Sequence, residues 1–122
     1  MPESALRIIL EEPLRRLVQL GEYRIQVVCL KNAYQTQGNW RGTWIMRAVT
    51  SDDRPDYTLV TARTALEGSE KVEPRSFKTF AGVVGFLHET GCISADVPLY
   101  KGMSIVQRSL GPNDLTKDDK ST

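Results

Sequence analysis

The strongest constraint on the fold is a change of hydrophobic period at Tyr23. Tyr23, Ile25, Val27 and Cys29 alternate with Arg24, Gln26, Val28 and Leu30, the two-residue repeat of a strand. A second run, Trp40 to Thr50, sets Trp44, Met46 and Ala48 against Thr43, Ile45, Arg47 and Val49. A third, Tyr57 to Arg63, is rich in β-branched residues. The polar stretch Lys31 to Asn39 reads as the connection between the first two, and Ser51 to Asp56 as the turn before the third. Three consecutive strands with short connections predict an antiparallel meander. Tyr23, Ile25, Val27, Trp44 and Met46 then turn toward a covering layer, while Arg24, Gln26, Thr43 and Arg47 share the opposite face. The register is open at this level, and a slip of one residue exchanges the two faces.

Helical patterns flank the meander. The apolar residues of Ala5 to Leu10 are too crowded to separate helix from strand. Pro13 suits a first turn, so a helix is expected over 12–20, with Leu14, Leu17 and Val18 on one side and Gly21 as its stop. Thr64 to Arg75 reads as a long loop. Ser76 as N-cap predicts a helix over 77–90, with Phe77, Phe80, Val84 and Leu87 on one stripe and Gly91 ending it. Gly82 and Gly85 leave bare backbone on that helix, which predicts close approach of the chain's own sheet. Cys92 to Leu99 reads as a short last strand, and Met103 to Val106 as a further short element. From Gly111 the chain is polar and without a stripe, the pattern of a disordered tail. The expected fold class is α+β: an antiparallel three- to four-stranded sheet with helices packed on one face. Residues 1–110 form a single domain and 111–122 the tail.

A chain of 122 residues supports one core. It has no apolar run of about 18 residues, so no membrane span is expected, and no basic leader of a secretory signal. Two cysteines are too few for a disulfide scaffold and fit a reducing, cytoplasmic setting. Sixteen Lys and Arg against fifteen Asp and Glu give a net charge of +1, so any nucleic-acid role has to rest on a local basic face.

Enzyme chemistry finds little support in the residues. His88 is the one histidine, at a helix end, with no orienting partner nominated. Cys29 and Cys92 form no CxxC motif and have no second histidine nearby, so no metal site is expected. Asp52 and Asp53 belong to a turn, and Glu11 and Glu12 to a helix start. No glycine-rich phosphate loop precedes a helix. The chain reads as a non-enzyme without a cofactor.

A binding surface remains. Arg24, Arg41, Arg47 and Arg63 would gather on or beside the open sheet face, with Trp40 and Tyr34 at the strand entrance as stacking groups. Cations meeting phosphates and rings stacking on bases is how single-stranded nucleic acid, here single-stranded DNA, is commonly held. An antiparallel sheet also has an ordinary solvated face in which arginines are at home. The alternative use of the same face is protein contact, as a homodimer or with a regulated partner. Val28, Leu30, Ile45 and Val49 interleave with the arginines, and small meanders leave edges open.

The run Arg75-Ser76-Phe77-Lys78-Thr79-Phe80 ahead of an amphipathic helix resembles small accessory proteins of bacterial plasmids and integrative elements, the partition- and transfer-associated kind. The resemblance covers residues 57–99 and carries no catalytic residues. It implies a non-enzymatic accessory protein of a mobile element; in the protein-contact alternative, the regulated partner would act in plasmid partition, conjugation or defence. In architecture alone the chain is similar to single-strand-binding transcription coactivators and Whirly-type proteins, which implies a dimer gripping unpaired DNA.

Overall fold

The computed structural model describes residues 7–62 and 73–108. The chain is α+β, with two described helices against one face of a six-stranded mixed sheet. In chain order the elements are β1 (Arg7–Ile9), α1 (Glu11–Gln19), β2 (Arg24–Thr36), β3 (Asn39–Val49), β4 (Pro55–Leu59), β5 (Phe77–Thr79), α2 (Phe80–Thr90) and β6 (Ser104–Val106). The sheet order is β1-β4-β3-β2-β6, with β5 pairing β3 beyond the end of β4.

The expected meander is β2-β3-β4, antiparallel throughout. Three further strands enlarge the expected sheet, and β1 makes it mixed. β1 lies parallel to β4, with Ile9 opposite Leu59, and so settles the undecided apolar run before Pro13. Each added strand is three residues long, too short for periodicity to announce it.

The largest departure is at Lys31 to Thr36, read as a connection and found as strand. Gln37 and Gly38 close the β2–β3 hairpin in two residues, with φ of 54° and 84°. That left-handed pair matches the twist of the flanking strands. The residues before it pair with β3 as far as Thr36↔Asn39. Their side chains are largely exposed, so no apolar alternation marks them as strand.

The core forms where α1 and α2 cover the sheet. Leu14 and Val18 of α1, and Val83, Phe86 and Leu87 of α2, meet Ile25, Val27, Cys29, Trp44, Met46 and Ala48. Trp44 is fully buried, its ring lying across Gly42. A Cβ at Gly42 would sit 2.8 Å from that ring, so the glycine is what lets the indole lie flat.

α2 begins three residues later than its pattern suggests. Phe77 pairs with Trp44 and Thr79 with Arg41, which draws 77–79 into the sheet. Thr79, not Ser76, is the N-cap, its hydroxyl accepting from the Gly82 N–H at 3.0 Å. The buried stripe becomes Val83, Phe86, Leu87 and Thr90; Phe77 stays buried but from a strand, and Phe80 is left exposed. Neither helix glycine meets a neighbouring backbone. Among the described residues, a Cβ at Gly85 would touch nothing within 4 Å, and one at Gly82 only Thr79 Oγ1 and the Phe77 ring. Gly91 ends the helix as expected.

No strand forms over Cys92–Leu99. Side-chain bonds help to hold this segment where a regular ladder is missing. Trp44 Nε1 donates to the Pro98 carbonyl at 2.8 Å. The buried Gln107 amide accepts from the Asp96 N–H and donates to the Asp96 carbonyl, both at 2.7 Å. The expected tail, 111–122, lies outside the described residues.

Candidate functional site

Register decides which side chains share the sheet face opposite the helices. Arg24 faces Val49, Gln26 faces Arg47 and Val28 faces Ile45, so the expected face is the one formed. Two register shifts follow in β2, between Cys29 and Lys31 and between Lys31 and Tyr34. The first turns Lys31, which strict alternation puts on the helix side, opposite Thr43 and onto this face. The second restores the phase, and Tyr34 pairs directly with Arg41. Lys78 of β5 reaches the same side, its Nζ 3.4 Å from Thr43 Oγ1.

Five cations therefore share the face, but not equivalently. Arg24 donates to Asp53 Oδ1 at 2.8 Å and to the Ser51 carbonyl, so the β3–β4 turn neutralises it. Arg47 is half-buried, with Nε enclosed and without an acceptor among the described residues. Lys31, Arg41 and Lys78 are exposed and pair with no carboxylate among the described residues. Tyr34, 54% exposed, stands among them. It belongs to a strand and not to the loop in which its sequence context put it.

The centre of the face is closed. Ile45 is 4% and Val49 0% exposed, and Val28 and Val60 are buried too. The mixed apolar–basic surface expected from Val28, Leu30, Ile45 and Val49 is thus not presented as a whole; of that group only Leu30 is exposed. What is open is the end near the β2–β3 turn, carrying Lys31, Tyr34, Arg41 and Lys78.

Trp40 pairs with Gln35, on the opposite side of the hairpin from Tyr34 and Arg41. It lines a hollow of about 360 Å³ between the hairpin tip, 38–41, and the start of α2, 79–81. A larger hollow, about 740 Å³, lies by the start of α1. Two of its charged groups, Glu11 and Arg75, engage each other at 2.7 Å, and Glu11 also accepts from Arg15. Arg75 stacks on Phe77, and Arg15 also reaches Glu89. Arg63 lies outside the described residues.

The residues weighed for chemistry are not assembled into a centre. His88 is exposed in the last turn of α2. The buried Cys29 thiol bonds to the Lys31 carbonyl at 3.0 Å, and desolvation raises its pKa. Burial pushes Cys92 up to about 11. Both shifts disfavour the nucleophilic thiolate. Among the described residues no three His, Cys, Asp or Glu side chains are grouped to hold a metal, and no helix is long and apolar enough to cross a membrane.

Compared with family models, curated proteins and solved structures, the chain matches none of them.

Lys31 and Lys78 are the cations that sequence reasoning missed. Only the first bulge turns Lys31 to this face, and Lys78 was read into a helix. The Tyr34–Arg41 pair, by contrast, follows from the tight turn once Gln37-Gly38 is recognised as its centre.

Proposed function

We propose that this protein binds single-stranded nucleic acid, single-stranded DNA in the first instance, on the open end of the sheet face, as a non-enzymatic accessory protein. The carrying observation is that Lys31, Arg41 and Lys78, none held by a described carboxylate, share one face with the exposed ring of Tyr34. Unpaired cations are suited to phosphates, and a ring beside them to an unpaired base. The net charge of +1 is no obstacle, because Asp53, at the same face, is already spent on Arg24. The plasmid or integrative-element setting rests on the sequence of the 75–80 run, which the fold divides between β5 and the start of α2. The test is fluorescence anisotropy of labelled oligonucleotides at two salt concentrations. The expected result is micromolar or tighter binding to single strands that weakens as salt rises. An absence of binding at low salt overturns the reading.

One observation favours the second reading, a protein-interaction or dimerisation module. Leu99, Tyr100 and Met103 are exposed on a loop held along β2. Ala33 N–H donates to the Leu99 carbonyl at 2.8 Å, and Gly102 N–H and Cys29 N–H bond across the same strip. Contacts made there would survive high salt.

A further inference from the structure

The hollow at the end of the β2–β3 hairpin is walled by two aromatic rings that the core does not use. Trp40 is 44% and Phe80 38% exposed, and each belongs to a different element. Phe80 is displaced from what its pattern suggests, whereas Trp40 keeps the alternation of its strand. Phe80 leaves the buried stripe of α2 because 77–79 is strand, and Trp40 sits one turn of the alternation beyond Gly42 on the helix side. Arg41 borders the hollow at its rim, exposed and without a carboxylate partner among the described residues. The adjacent residues Trp40 and Arg41 project to opposite sides of the hairpin, so the hollow opens at the rim where the basic face ends. Two exposed rings around one concavity, with a cation at its rim, fit a planar group that carries negative charge beside it.

We propose that this hollow is a nucleobase-stacking subsite, in which one unpaired base rests against Trp40 and Phe80 while Arg41 holds an adjoining phosphate. The inference rests on the single-strand reading above and adds to it where a base is held. The bases of a duplex are stacked on each other and cannot enter, so the subsite selects unpaired nucleotides. It tolerates sequence, since every base has a π-face.

The experiment compares a short labelled oligothymidylate with an abasic oligomer of the same length, which keeps the phosphates and removes the bases. Anisotropy reads affinity, and intrinsic tryptophan fluorescence reads the site directly. Trp44 is fully buried, so a ligand-induced change reports Trp40. The expected result is a preference for oligothymidylate of about 5- to 150-fold, the equivalent of one base–aromatic stack, with quenching of the tryptophan signal. Trp40→Ala removes most of that preference and leaves abasic binding unchanged, Phe80→Ala reduces it, and Trp40→Phe retains part of it. Equal binding of both oligomers without a fluorescence change overturns the subsite and leaves phosphate binding on the sheet face standing. A preference that survives both alanine substitutions also overturns it and moves base contact elsewhere. No binding of either oligomer at low salt overturns the subsite together with the reading beneath it.

Discussion

At the scale of single residues, two polar side chains tie separate segments of the chain together. Gln107 is buried and bonds both backbone groups of Asp96, standing in for a strand that 92–99 does not form. Gln107→Ala strands those groups and is expected to cost about 1–3 kcal/mol. Urea unfolding should show a lower midpoint at unchanged slope; an unaltered midpoint would mean that the amide pair contributes nothing. Asp56 joins β4 to two neighbours, accepting from the Tyr23 hydroxyl at 2.6 Å and from Arg7 at 2.8 Å. The Tyr23 bond first, then Arg7, holds its carboxyl below the ordinary 3.8. A carboxyl depressed on folding stabilises the native state fully above its unfolded pKa and loses that contribution as pH falls through the folded value. Acid unfolding monitored by circular dichroism should therefore steepen below about pH 4, and Asp56→Asn should flatten that limb. An identical acid limb in the variant would dismiss the contact as a source of stability.

At the scale of elements, the alternation over Tyr23–Leu30 and Trp40–Thr50 made the central hairpin and its two faces legible, and Pro13 and Gly91 marked one helix start and one helix end. The rest was illegible for definite physical reasons. Lys31–Thr36 is a bulged strand with exposed side chains, so neither period nor polarity marks it. Phe77 and Phe80 fit a helical spacing, yet pairing with β3 outweighs that spacing and moves the cap from Ser76 to Thr79. Local pattern cannot report a pairing partner more than thirty residues away. This difference in caps is measurable. Thr79→Ala is expected to cost about 0.5–2 kcal/mol by loss of the bond to the Gly82 N–H, while Ser76→Ala should stay within about 0.5 kcal/mol of the parent. Thermal unfolding of the two variants decides it, and the reverse order would restore the longer helix.

At the scale of the whole molecule, charge is nearly balanced in sum but not in place. Acidic residues are drawn into pairs: Asp53 with Arg24, Asp56 with Arg7, Glu11 with Arg15 and Arg75. Lys31, Arg41 and Lys78 stay outside these pairs at the open end of one sheet face. Composition announced only the balance; the gathering follows from two bulges in β2 and the docking of β5. On the proposed reading these three cations hold the phosphates of a single strand, and the salt dependence of binding is the measurement that reads them. The slope of log affinity against log salt should be about −2 for three contacts and shrink by about 0.7 on replacing any one of Lys31, Arg41 or Lys78 with alanine. Arg24→Ala should leave the slope unchanged, because Asp53 already neutralises that guanidinium. A slope indifferent to all three substitutions, or one that falls for Arg24→Ala alone, would show that the phosphates are held elsewhere.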